Sequence, residues 1–487
     1  MHKLFIYMRT SNKLIAGIIV ASSLLLSCTK DFKELNTDPN RIDQISPGTL
    51  LNPIIYEVAS FNMHESDDIT FDLMQVMLPF PSVSGGLHRY EVSENIGNGT
   101  WNTYYRWIKN VKEMYAASVK AEDPNYQAIA LTLNAWIYSN LTDCFGDIPM
   151  DEAASGDEGV LQPRFNKQQD IYPRLLADLD SANKLFNTSK PMIYGTDILF
   201  SNSVSKWKKF CNSLHLRLLL RLSKKTEIDA YTKLKAILSD PATYPVFTTN
   251  AEAAVLPLSG ITPMASPWGR PIDFPTFRAA GKFFLDSLNA MNDPRRASFA
   301  SQAKSKTAPY PSMGYMGIPH GYTGSENQFN YTPSNLLQAL VTAPMNVPIL
   351  TYSEVEFIKA EIEWKSGNAT TSKTAYEKGV KAAIEQWGIT MPADYFTNTT
   401  AAYDGSLERI MLQKYYALFF VDYQQWFEYR RTGFPVLPVE AGMLNNQKVP
   451  VRFYYPIAVR TNNPTNYQEA VGWMGGDDIN TKVWWEK

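Results

Sequence analysis

The chain has 487 residues, 45% of them hydrophobic, with 46 basic and 48 acidic side chains for a formal charge of −2. That balance excludes the basic surface a nucleic-acid partner requires, and three cysteines are too few for a disulfide framework. Aromatic side chains make up 13%, with 27 Tyr and 11 Trp, enough to serve both cores and ligand stacking.

At the amino terminus, Lys3, Arg9 and Lys13 precede an uncharged apolar run from Leu14 to Leu26. The run is too short for a bilayer-spanning helix, which needs roughly 20 residues. It reads as a secretory signal over residues 1–27, with Met8 as an alternative start, and Leu25-Leu26-Ser27-Cys28 resembles the bacterial lipobox, cleaved before Cys28. A lipid on Cys28 would anchor the protein, because each buried methylene contributes ~0.8 kcal/mol and such lipoproteins carry several chains. Without the signal, 43 basic residues face 48 acids, a formal charge of −5, and only Cys144 and Cys211 remain, expected as buried thiols. Residues 29–40 are polar and turn-rich, as a tether should be. Their acids, close to the cysteine, resemble the surface-export signal of Bacteroidetes lipoproteins, which points to the outer membrane and the cell surface.

From about residue 41 to 247 the pattern is helical. Tyr126, Ala130, Leu133, Ile137 and Leu141 make one stripe; Ile171, Leu175, Leu179, Ala182 and Phe186 make another, with Asp170 as its expected cap and Pro173 in its first turn. Lys206 to Lys225 contains neither Gly nor Pro and reads as a buried helix. Residues 248–334 then hold ten of the 30 prolines, too long a stretch for a structureless loop, and read as an irregular subdomain with one helical run from Thr276 to Met291. Helical patterning resumes over 335–430. Ser353-Glu354-Val355-Glu356 has the form of a capping box, Ser366-Gly367-Asn368 a stop, and Tyr376, Val380, Ala383, Ile384 and Trp387 line a partner helix. Small residues at Ala375, Gly379 and Ala383 permit close packing of the tetratricopeptide type. Residues 431–487 turn irregular.

Several motifs stand in order along the mature chain: Asp31-Phe32 with Asn36-Thr37-Asp38-Pro39, then Leu141 through Pro149, then Trp207 through Arg217. Tyr352 through Glu361, Gln413 through Leu418, Trp426 with Arg430-Arg431-Thr432-Gly433, Arg452 through Pro456, Asn463 to Tyr467 and Trp484-Trp485 follow. Together with the lipobox they resemble the SusD/RagB family of Bacteroidetes outer-membrane lipoproteins, in its shorter SusD-like branch. The resemblance implies a mainly α, single SusD-like domain over 28–487, with tetratricopeptide-like helical pairs as scaffold and an irregular ligand-binding half. It also implies a SusC-like TonB-dependent outer-membrane transporter as partner, and glycans or oligopeptides as ligands. It assigns no binding residue.

The residues themselves offer no catalytic signature: His-Glu-x-x-His, Gly-x-Ser-x-Gly, phosphate-loop and dinucleotide patterns are missing from the sequence. His215 reads as a core histidine, Arg217 and Arg221 as structural, and Arg430 and Arg431 as internally paired. The adjacent acids Asp67-Asp68 and Asp477-Asp478 read as solvated turns, although Gly475 to Asn480 has oxygen ligands that could hold a structural calcium. Candidate ligand contacts are aromatic and polar side chains in Pro/Gly-rich surroundings: Trp268, Arg270, Phe274, Phe277, Tyr310, Tyr315, His320, Tyr322 and Tyr331, and His88, Arg89 and Tyr90 beside Gly85-Gly86. The expected function is capture of a glycan, without cofactor or bond cleavage, for delivery to the transporter. An oligopeptide, held at its charged ends by Arg270, Arg89 and Asp67, is the alternative; a surface glycosidase and a ligand-free scaffold are the other classes to discriminate.

Overall fold

A computed structural model describes residues 46–81 and 84–487; the signal segment, Cys28 and the tether lie outside the described residues. Helices α1 (Pro47–Glu65), α2 (Asn98–Lys120), α3 (Pro124–Phe145), α4 (Gln168–Leu185), α5 (Val204–Arg221) and α6 (Ala230–Ser239) pack each on its predecessor. In α3 the Asp123 carboxylate accepts from the Asn125 and Tyr126 amides, and Pro124 occupies the first position, where no donor is needed. Its stripe from Tyr126 to Leu141 is buried, and so are the residues between except the half-buried Gln127, Leu131 and Asn134, which makes α3 a central helix rather than a surface one. Cys144 and Cys211 are buried free thiols on α3 and α5.

Two local expectations need correction. In α4 the residue before the helix is Lys167; Asp170 lies inside the first turn, where a negative charge favours the helix dipole without capping, and Pro173 sits a turn further in. The second helical block opens with α8 (Tyr352–Lys365), and its cap is Thr351, whose hydroxyl accepts from the Glu354 amide at 3.2 Å. Ser353 and Glu356 therefore form no capping box: Glu354 turns inward to Arg217, and Glu356 binds Lys359. After Gly367 in the left-handed region, α9 (Ala369–Glu385) returns along α8, and Gly379 lets the backbone approach the Phe357 ring, where a Cβ would stand 3.2 Å from it. The chain continues through α10 (Leu407–Ala417), packed on this hairpin, to α11 (Gln424–Thr432) and α12 (Pro464–Met474).

The irregular segment leaves and rejoins the helices at one place. Strand β4 (Ala254–Leu258) carries the chain out and β8 (Met345–Leu350) brings it back antiparallel, with Leu256 opposite Val347. Between them β5 (Arg278–Ala280) pairs with β1 (Met77–Pro79), and β6 (Lys304–Ser305) with β7 (Tyr331–Thr332); β2 (Ile148–Pro149) and β3 (Phe165–Asn166) pair elsewhere. Pairing of β5 shortens the expected helix, which covers Lys282–Ala290 (α7) only. Two-stranded pairs this short are not stable alone, so packing must hold them. A small second core does so: Leu78, Ala279, Ala303, Ile318, Tyr322 and Tyr331, flanked by Phe80, Met316 and Phe329.

The two helical blocks meet across buried charge. Arg217 on α5 makes a bidentate bond to Glu354 on α8 at 2.6 and 2.7 Å. Glu428 on α11 accepts from Arg221 at 3.2 Å, Lys414 at 2.6 Å and Arg431 at 2.7 Å, and Arg431 also clamps Glu361. Burial alone would raise the Glu428 carboxyl, but the three cations overcome it and hold the group well below the usual carboxylate range. A depressed carboxyl supplies stability that is present above its ordinary value of 4.5 and lost in acid. Replacing Glu428 with Gln leaves Lys414 buried without a carboxylate partner among the described residues, takes one of two from Arg221 and Arg431, and is expected to cost about 3–5 kcal/mol in urea unfolding at neutral pH. Lys378→Ala, on the exposed face of α9, should stay within about 0.5 kcal/mol.

Candidate functional site

Most of the rings singled out in the irregular half face inward. Trp268 is only 7% exposed; its indole packs 4.4 Å from the His64 ring, 5.7 Å from Phe274 and 6.2 Å from Phe420. Phe274 is likewise buried against Phe420, and Tyr322 and Tyr331 belong to the second core. The reason is physical: a segment with little regular structure buries few backbone-paired surfaces, so large rings must supply its interior.

The loop at 85–90 is interior as well. Arg89 donates to the Tyr322 carbonyl at 2.9 Å, and the Tyr90 hydroxyl accepts from Gln75 at 3.0 Å. His320 donates through Nε2 to the Met77 carbonyl at 3.1 Å, and its ring lies 6.4 Å from that of His88. Burial pushes these imidazoles down, to about 3 and about 4 respectively, so both are neutral at physiological pH. These groups fix the loop against residues 319–322 and 442, with the His88, Arg89 and Tyr90 side chains buried.

What reaches the surface is a smaller set. Arg270 is exposed and 3.7 Å from Asp273; Tyr315 is half-buried, with the Arg296 guanidinium 5.6 Å over its ring. Tyr310 is 61% exposed on the connection between Ser305 and Pro311, whose backbone groups pair with each other. Phe277, at 83%, projects just before β5, where its carbonyl accepts from the Phe80 amide at 2.9 Å. Both exposed rings sit on left-handed backbone, φ 55° at Phe277 and 59° at Tyr310.

The charged candidates are spoken for. Asp67 is not in a solvated turn: it lies in the buried Ser66–Thr70 turn and binds Arg278, which also reaches Asp72 at 3.3 Å. With one guanidinium between two carboxylates, burial dominates and lifts Asp67 to about 6 and Asp72 to about 7. Asp477 accepts from Arg452 at 2.8 Å and from the Tyr467 hydroxyl at 3.1 Å, with Arg460 at 3.4 Å. Two guanidinium groups on the carboxylate displace the calcium reading of this turn, and no cluster of three or more His, Cys, Asp or Glu among the described residues has a metal-holding arrangement. Arg430 pairs with Glu486 at 2.7 Å.

Sequence reasoning placed weight on Trp268 and Phe274 because rings beside Gly and Pro resemble a binding loop; only burial separates those from Phe277. No spacing in the sequence marks Phe277: strand alternation would put it on the side of Ala279, which packs in the second core, and it faces out where its backbone turns left-handed just before β5.

The family model described as starch-binding associating with the outer membrane matches residues 39–456. Among solved structures, the chain is similar to a chitin-binding protein at 24% identity and TM-score 0.77, the match covering 91% of this chain and 100% of the other. It is similar to a SusD homologue from Bacteroides fragilis at 22% identity and TM-score 0.78, with the same coverage. A SusD-like protein from Bacteroides thetaiotaomicron matches at 22% identity and TM-score 0.74, covering 90% of this chain and 98% of that one. Comparison with curated proteins finds none significantly similar in sequence. The fold is the mainly α SusD-like fold, and the chain belongs to the SusD-like family of outer-membrane-associated proteins. No helix among the described residues is long and apolar enough to cross a membrane.

Two measurements test this assignment of interior and surface. Trp268→Ala is expected to destabilise by about 3–5 kcal/mol, as loss of a core indole does, in chemical denaturation. For the Asp72 carboxyl, raised on folding, stability is complete below its unfolded value near 4 and is lost as pH rises through about 7. Asp72→Asn should therefore narrow the fall in melting temperature between pH 5 and pH 8 by about 2–3 °C.

Proposed function

We propose that the protein captures a neutral glycan at the cell surface and passes it to a SusC-like TonB-dependent transporter, held to the outer membrane by lipid on Cys28. The observation that carries this reading is the coincidence of exposure and strain at Phe277 and Tyr310. Left-handed backbone costs a side-chain-bearing residue roughly 1–2 kcal/mol, and an exposed ring returns nothing by burial. Stability gives no reason to keep aromatic residues there; a ligand does. Sugars present C–H faces that stack on such rings, while Arg270 donates to hydroxyls.

The oligopeptide alternative loses two of its three charged contacts, since Arg89 is spent on carbonyls and Asp67 on Arg278. A glycosidase would need a free pair of carboxylates, and the adjacent acids offer none: Asp67 and Asp477 are ion-paired. Capture requires little affinity, since a Kd near 1 mM corresponds to only about −4 kcal/mol. Native affinity electrophoresis through soluble polysaccharides, starch and a glycol-modified chitin among them, tests the reading. Phe277→Gly and Tyr310→Gly should each lower retention about tenfold, the loss of one stacked ring, while urea midpoints stay level or rise. Unchanged retention in both variants would remove both rings from the site, and release of shortened sugars from the gel would show an enzyme instead.

A further inference from the structure

A second opening lies away from the irregular half. Between the start of α2, the connection from Pro149 to Phe165 and the residues 456–463 before α12 is a cleft of about 410 Å³, within the range of small-ligand pockets. We infer that this cleft is a separate binding site for one or two neutral sugar units; the inference takes its ligand class from the glycan reading above. No charged side chain lines it, in a chain that carries 46 basic and 48 acidic residues. The floor is aromatic: the half-buried Tyr105 ring is backed at 4.9 Å by Trp101, itself only 8% exposed and fixed edge-on to Phe145 and Tyr455.

The walls are tied together before any ligand arrives. Asn463 donates to the Pro163 carbonyl at 2.7 Å, Asn466 to the Gln162 carbonyl at 3.0 Å, and the Tyr105 hydroxyl to the Pro149 carbonyl at 2.8 Å. Two amides on the lining are left over: the side chains of Asn102 and Asn462 are exposed and bond to nothing else among the described residues. Each offers a donor and an acceptor, the pairing that vicinal hydroxyls need. On the rim Leu161 is 83% exposed, an apolar side chain open to solvent.

Methyl NMR of the mature chain, labelled at Ala, Leu and Val, tests the site with four probes: maltose, cellobiose, N,N′-diacetylchitobiose and the blocked peptide acetyl-Ala-Pro-Ala-amide. At least one disaccharide should shift the Ala153, Leu161 and Val459 methyls. The double variant Asn102→Ala/Asn462→Ala should raise its Kd about tenfold, as two lost hydrogen bonds would. Leu161→Arg, at an exposed position that cannot disturb the core, should weaken it as well, whereas Phe277→Gly should not. Silence of these methyls toward all three sugars, an unchanged Kd in the double variant, or a response to the peptide alone overturns the inference. Loss of polysaccharide retention in Phe277→Gly with a silent cleft would sink this site and leave the glycan reading standing; unchanged retention with a cleft that answers to a disaccharide would uphold this site and take Phe277 out of the glycan reading.

Discussion

The carboxylate of Glu428 is the constraint on which the arrangement turns. It gathers cations from α5, α10 and its own helix α11, and through Arg431 and Arg221 the contact extends to Glu361 on α8 and Asp143 on α3. With the Arg217–Glu354 and Arg430–Glu486 pairs, five cations face five carboxylates inside the scaffold. Each ion loses several kcal/mol of hydration on burial, recovered only when partners and hydrogen bonds are in place. A helix displaced by one turn would leave charges unpaired in the interior, so the network penalises misregister far more steeply than apolar contacts do. Leucine-rich faces such as that of α5 would tolerate sliding; the arginines spaced along it do not.

Fixing the helices in this way lets the rest of the chain be irregular. The excursion between β4 and β8 starts and ends on the same immobile frame, and its short strands need define only local geometry. Its own rings, Trp268, Phe274, Tyr322 and Tyr331, then serve as interior. The cost is that few aromatics remain for a ligand, and those that do, Phe277 and Tyr310, stand on backbone that a glycine would occupy more easily. Strain is affordable at such positions because the scaffold is stabilised elsewhere.

The helical half was legible in the sequence because periodic burial leaves a trace of residue types. The stripe from Tyr126 to Leu141 and the hairpin of α8 and α9 appear where the spacing put them. The caps were less legible. Ser353-x-x-Glu356 has the letters of a capping box, yet Thr351 holds the end, since Glu354 and Glu356 were already committed to basic partners that no local pattern reveals. In the irregular half the difficulty is deeper. A ring that stacks on sugar and a ring that fills a small core look alike in sequence, and the difference between Trp268 and Phe277 arises from contacts with Phe420, far along the chain. The same holds for Asp67, whose partner Arg278 is remote and whose neighbour Asp68 suggested a solvated turn.

Several arginines in this protein are interior material, and that bears on what the outside can bind. Arg278, Arg295, Arg89 and Arg452 point into the molecule and meet carboxylates or carbonyls there. The groups proposed for recognition are mainly rings and amides, which discriminate shape and hydroxyl pattern but contribute little energy singly. Such contacts hold a monomeric ligand weakly and a polymer well. Once one unit of a chain is bound, its neighbours meet the next contact at a high effective concentration, so avidity can exceed single-unit affinity by about 10²–10⁴ without a new interaction. The same property favours release. On the function proposed above, a transporter that takes up a short product would engage only one weak contact at a time, and a Kd near 1 mM, about −4 kcal/mol, would leave little to overcome. A deep, charged pocket would hold small fragments as tightly as the polymer; a shallow neutral one sorts them by length.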